Sequence, residues 1–165
     1  MIVKQTWRWQ FLSFESLAEG RPVQNWFDSL PDEDKWEITD LLDGLQKITD
    51  RRWPDEGKDR VFDALQGAGG ISEIRFPNIK CVRNGKVKII TYRIYGFFGP
   101  YKQCYTFLHG AEKEAKNDKP GKATAKRRLD ELQRWGLAAG LVSVHKFNVE
   151  SNANSTTAEG PLRPN

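Results

Sequence analysis

Residues 84–95, NGKVKIITYRIY, decide the fold. Asn84-Gly85 is a strong hairpin signal, because these two residue types accept the positive φ that a two-residue turn needs. The run Lys86–Tyr95 then alternates: Ile90, Tyr92 and Ile94 share one parity, while Ile89, Thr91, Arg93 and Tyr95 share the other. A period of two with β-branched and aromatic residues predicts a strand. Upstream, Ile71–Phe76 (ISEIRF) alternates in the same way, and Pro77 is expected to end it. Downstream, Gly96, Gly99 and Pro100 predict a hairpin connection. Gln103–His109 (QCYTFLH) reads as a last strand closed by Gly110. Strands joined by such short turns form an antiparallel meander.

Toward the N-terminus, Val3, Trp7, Trp9 and Phe11 alternate with Lys4, Thr6, Arg8 and Gln10, which predicts a half-buried strand over 2–11. Residues 12–21 read as a connection ending in Gly20. Pro22 suits the first turn of a helix, and Val23, Trp26, Phe27 and Leu30 give Pro22–Leu30 one apolar face. Pro31 disfavours helical geometry at Leu30. Ser29 followed by Asp32 resembles a capping box for a second helix over 31–50, with Ile38, Leu41, Leu42, Leu45 and Ile48 as its stripe. Residues 51–70 read as a loop with one helical turn near Val61–Leu65. After the polar stretch Lys113–Lys122, the spacing of Ala125, Leu129, Leu132 and Trp135 predicts a third helix ending at Gly136. Residues 150–165 are small and polar, a composition that does not pack a core. The expectation is an α+β domain over 1–136 and a weakly structured to disordered C-terminal tail over 137–165. Its element order is β-α-α-β-β-β-α. The sheet is small and mainly antiparallel, with helices on one face and the other face free for a ligand.

Composition bounds the function. The 165-residue chain carries a net charge of +4, unevenly spread. Residues 28–63 hold twelve acids and six bases; residues 71–134 hold fifteen bases and six acids. Such asymmetry points to a basic working surface in the second half, although solvation of exposed strands and a helix also accounts for charge runs. No apolar run nears the roughly 20 residues that span a bilayer. The N-terminal residues lack a signal-peptide pattern, so a cytoplasmic protein without membrane contact is expected. Cys81 and Cys104 form no metal-binding pair and read as reduced thiols. Neither a metal nor another cofactor is expected.

The combination PVQNWFDSLPDEDKWEITDLLDGL, ISEIRF, VKIITYRIY and YTFLHGAEKEAKNDKPGKATAKRRLDEL resembles the HigB-like, phage-derived branch of the RelE/ParE superfamily of type II toxins. That family carries a helical hairpin, a strand ending in Glu-Leu-Arg, a strand with Tyr-Arg, a Leu-His-Gly turn, a lysine-containing loop and a basic helix. The resemblance covers residues 2–136. It implies the toxin of a type II toxin–antitoxin system: a metal-independent, ribosome-dependent mRNA endonuclease that inhibits translation. Its partners would be mRNA, the ribosome and a cognate antitoxin, a small helix-turn-helix protein. On the same fold, a non-enzymatic toxin that binds a protein such as DNA gyrase is the alternative, as is a phage-derived binding module without toxicity.

Carried over residue by residue, the resemblance implies Arg75, Arg93 and Lys113 as the cations of the cleavage site. Their chemistry fits. An arginine grips phosphate with two parallel hydrogen bonds and stays charged at any physiological pH. Arg75 and Arg93 both oppose an apolar parity and should face the open side of the sheet, although Arg75 could instead pair with Glu73 or with an acidic residue of the helical hairpin. His109 is the histidine within the fold and a candidate acid or base; packing at a strand end is the plainer account. Tyr95 could stack on an unpaired base. Lys102, Lys122, Lys126, Arg127 and Arg128 could position RNA through its phosphates, or simply solvate a helix and a turn.

Overall fold

The hairpin read from residues 84–95 is present in the computed structural model. The structure describes residues 9–47, 62–65, 69–112, 118–135 and 141–149. Asn84 and Gly85 take φ values of 53° and 71°. They join β3 (Ser72–Arg83) to β4 (Lys86–Phe98), and a further turn leads to β5 (Cys104–Glu112). Before this meander come β1 (Gln10–Ser16), α1 (Pro22–Asp28), α2 (Asp32–Gln46) and the short β2 (Phe62–Ala64). After it come α3 (Lys119–Trp135) and β6 (Val142–Lys146). Among the described residues the sheet has the order β2-β3-β4-β5-β1-β6. β1 runs parallel to β5, and every other neighbouring pair is antiparallel. The chain is therefore an α+β protein with a mainly antiparallel sheet. Among the described residues no helix is long and apolar enough to cross a membrane.

The helices do not share one face. Val23 and Phe27 of α1 and Ile38, Leu42 and Leu45 of α2 pack with Ile74, Phe76, Ile90, Tyr92, Ile94, Tyr105 and Phe107. Ala125 and Leu129 of α3 pack with Phe14, Ile71, Tyr95, Leu108 and Val142. Tyr92 and Ile94 belong to the first set and Tyr95 to the second, and neighbouring residues of a strand point to opposite faces. The sheet is thus covered by α1 and α2 on one side and by α3 on the other. The expectation of helices on a single face is corrected, because α3 carries its own apolar stripe and needs a sheet face to bury it. Gly110 shows how close the first layer sits: a Cβ there would run into the Trp26 ring.

Several boundaries also differ. β1 begins at Gln10, inside the strand expected over 2–11, and runs on to Ser16 through the stretch expected as a connection; the part of the expected strand over 2–8 lies outside the described residues. Pro77 does not end its strand. The β3–β4 register shifts between Phe76 and Ile79, and that irregularity absorbs the missing N–H. β4 runs past Gly96, with a second shift between Tyr95 and Gly96, and β5 runs past Gly110. The turn of helix expected near Val61–Leu65 is instead β2, paired with Ser72–Ile74. The capping box is not formed: Pro31 is the N-cap of α2 without a side-chain cap, and Ser29 Oγ donates to Trp26 O, 2.6 Å away. α3 begins at Lys119, inside the stretch expected to be an irregular polar loop. The expected tail contributes β6, antiparallel to β1, and the core residue Phe147. Its remainder, 137–140 and 150–165, lies outside the described residues.

Candidate functional site

The face of the sheet toward α3 gathers charge. Arg75 and Arg93 are direct register partners on β3 and β4, as are Glu73 and Tyr95; Tyr95 is in turn opposite His109 on β5. Alternation puts Glu73, Arg75, Arg93 and Tyr95 on the side of Ile71. The Tyr95/Gly96 shift allows Leu108 and His109 to turn to that side together, while Gly110 meets Trp26 on the other.

Glu73 organises the cluster. It is fully buried and receives the Arg75 Nε hydrogen bond at 2.5 Å, with Arg75 Nη2 also against it. Arg75 Nη2 donates to Asp63 Oδ2 at 3.0 Å as well. Arg93 Nη1 lies 3.6 Å from Glu73 Oε2 and donates to Tyr95 Oη at 3.3 Å. Arg93 is only 3% exposed, and the Arg75 side chain 30%. The face expected to be open is covered at Arg93, and α3 packs on the neighbouring Tyr95. A shared carboxylate between two guanidinium groups relieves their repulsion, which at this spacing in a buried site would otherwise be severe. Arg93 Nε is buried and has no hydrogen-bond partner among the described residues.

Tyr95 links the cluster to the start of α3. Its hydroxyl donates to Asp118 Oδ2 at 3.2 Å, while Asp118 Oδ1 accepts the Gly121 N–H at 3.0 Å, as a helix N-cap does. Burial raises the Tyr95 hydroxyl to a pKa of about 12, against the opposing pull of the Arg93 hydrogen bond, so it stays protonated. The Tyr95 and His109 rings are nearly parallel, with centroids 6.3 Å apart. Burial first, and then the charge of Arg128, holds the His109 imidazole below its ordinary pKa.

Of the residues expected at a site, Arg75, Arg93, Tyr95, His109 and Arg128 come together. Arg128 points inward from α3 and is buried, rather than lying on a solvated helix face. Lys126 and Arg127 lie on the exposed side of α3, where Arg127 pairs with Glu19 and Glu131. Lys122 is half-buried near the start of that helix. Lys102 is exposed in the β4–β5 turn beside Tyr101 and Phe98. Phe98 packs on Tyr105 of the α1/α2 layer, so Lys102 belongs to a different part of the surface. Lys113 lies outside the described residues. Tyr92 is a core residue, as its parity indicates; its hydroxyl bonds to the buried Asp34 at the start of α2.

Asp118 and Glu19 were not anticipated. An Asp shortly before Pro120 and Gly121 is a readable helix-start signal, which the polar, lysine-rich character of 113–122 masks. Glu19 carries no local signal, since it meets Arg128 only through the tertiary fold. No protein-family model matches the chain, and neither a curated protein nor a solved structure does.

Proposed function

We propose that this protein is the toxin of a type II toxin–antitoxin pair, with the RelE-like fold and HigB-like character that its motifs resemble. It would act in the cytoplasm as a metal-independent, ribosome-dependent mRNA endonuclease, held in check by a small helix-turn-helix antitoxin. The observation that carries this reading is the juxtaposition of Arg75 and Arg93 on neighbouring strands, with Tyr95 and His109 beside them on the same face. Two guanidinium forks at one spot suit a phosphate that gains charge as the 2′-hydroxyl attacks it. In that attack the 2′-oxygen bonds to phosphorus and the 5′-oxygen leaves, which yields a 2′,3′-cyclic phosphate and a 5′-hydroxyl end. Arg75 is the accessible member of the pair. Arg93 Nε retains a donor for a ligand oxygen, or for Glu73 once Arg75 turns to the phosphate.

A second reading has its own support. Glu73 already engages both arginines, and Arg93 is almost fully buried. That arrangement suits a non-enzymatic module on the same fold, such as an inhibitor of a protein like DNA gyrase. Transcript mapping after induction separates the two. The endonuclease reading expects new transcript ends to accompany growth arrest and to vanish in Arg75→Gln, which leaves the Glu73–Arg93 pair in place. Growth arrest over intact transcripts would reject it in favour of the binding module.

A further inference from the structure

We propose that Arg128, clamped by Glu19, is a positioning residue that fixes the neutral tautomer of His109 with its proton on Nε2. His109 then offers the RNA phosphate a hydrogen-bond donor and takes no part in proton transfer. The assignment of the phosphate as its acceptor rests on the reading above; the tautomer does not.

The geometry leaves the guanidinium little freedom. Nη2 donates to Glu19 Oε1 at 2.9 Å and Nε to Glu19 Oε2 at 3.3 Å, a two-point grip. Nη1 donates to Leu108 O at 2.6 Å and reaches His109 Nδ1 at 3.5 Å. The carbon of the guanidinium also lies over the Phe14 ring, 5.6 Å from its centroid. An arginine offers only donors and does not lose its charge in a protein. The ring nitrogen that faces it must therefore accept. Nδ1 keeps its lone pair, and in the neutral ring the proton sits on Nε2.

Among the described residues, the groups around His109 come from four places. Arg128 reaches it from α3, Asp118 from the start of that helix, Glu19 from the turn after β1, and Tyr95 from β4. Asp118 and Glu19 favour the charged ring, whereas burial and Arg128 oppose it, and the net effect is a lowered pKa that favours the neutral ring. Glu19 is itself committed to Arg127 and Arg128, so its charge is largely spent on them. A neutral imidazole N–H is a good donor but far too weak an acid to protonate a leaving oxygen near neutral pH. The occupied Nδ1 is likewise unable to serve as a base.

Long-range nitrogen–proton correlation NMR on the histidine-labelled full chain tests this directly. The chain has only His109 and His145, and His145→Gln assigns the two. The expected result is a neutral His109 with protonated Nε2 near neutral pH. Arg128→Gln should mix the tautomers and raise the titration midpoint, with Arg128→Lys closer to wild type. Glu19→Gln, which loosens the clamp but keeps the arginine, should move the spectrum in the same direction as Arg128→Gln. Protonated Nδ1 in the wild type, or a charged ring at neutral pH, would overturn the proposal, and both are read on the wild-type spectrum, with His145→Gln serving only to assign the two rings. In a cleavage assay, His109→Gln should stay within about tenfold of wild type and His109→Ala should fall about a hundredfold. Equal losses would remove the donor role. Absence of cleavage by the wild type would count against the endonuclease reading while leaving the tautomer measurement to stand on its own.

Discussion

The two faces of the sheet are built differently. Toward α1 and α2 the core is mostly aromatic and aliphatic, with Phe11, Phe27, Phe107 and Phe147 ring against ring at centroid distances of 4.8–5.2 Å, and its buried charges, Asp34 and Lys35, both come from near the start of α2. Toward α3 the apolar cluster is smaller, and it shares its space with buried Glu73, Arg93 and Arg128. Apolar burial yields about 1.5–3 kcal/mol for each large side chain. Buried ion pairs often contribute little or nothing net compared with apolar replacements. The α1/α2 face therefore supplies the larger share of the apolar stabilisation, and the α3 face keeps a denser group of buried charges at a cost that an apolar core would not incur. Such a cost draws attention to the α3 side as the functional one.

That contrast can be broken by substitution. The largest expected effect is on the apolar face. Phe107→Ala should lose about 3–5 kcal/mol in urea unfolding, and any activity should fall only as far as the folded fraction does. On the charged face, Arg93→Met strands Glu73 with Arg75 as its remaining partner. The loss should lie near the low end of the roughly 3–5 kcal/mol typical of a broken buried pair. Adding Glu73→Gln should recover part of that loss, since it removes the stranded charge; a double variant no more stable than Arg93→Met would mean that the pair is not a unit. A smaller effect is expected from pH. The hydrogen bond from Arg128, with help from Arg127, lowers the Glu19 carboxyl from 4.5 to about 2. Its contribution to stability is complete above the unfolded value of 4.5 and is lost as pH falls through the folded value near 2. Glu19→Gln should flatten the stability profile across that window. An unchanged slope would show that the clamp does not contribute.

Much of the architecture was readable from the chain because it rests on local chemistry. Asn84-Gly85, the alternation of Ile90, Tyr92 and Ile94, and the Ile38–Leu45 stripe of α2 each express one short-range preference. The misread parts depend on distance. β2 and β6 are short strands that exist because β3 and β1 offer edges to them. Pro77 and Gly96 look like strand ends until a register shift accommodates them. At the site, parity alone correctly put Arg75 and Arg93 on one face. It could not show that Arg93 would be buried, nor that Arg128 would turn inward to meet Glu19, a residue 109 positions earlier in the chain. Helical periodicity assigns Arg127 and Arg128 to neighbouring faces, but only the packed structure tells which of them is buried.

The account turns on whether the α3-side cluster acts on an RNA phosphate. The most direct measurement is the chemistry of transcript ends after induction of the wild-type protein, read by ligation with and without prior phosphorylation. The account predicts new 5′-hydroxyl ends that ligate only after phosphorylation, absent in a folded Arg75→Gln variant. Intact transcripts, or cut ends that already carry a 5′-phosphate, would contradict it.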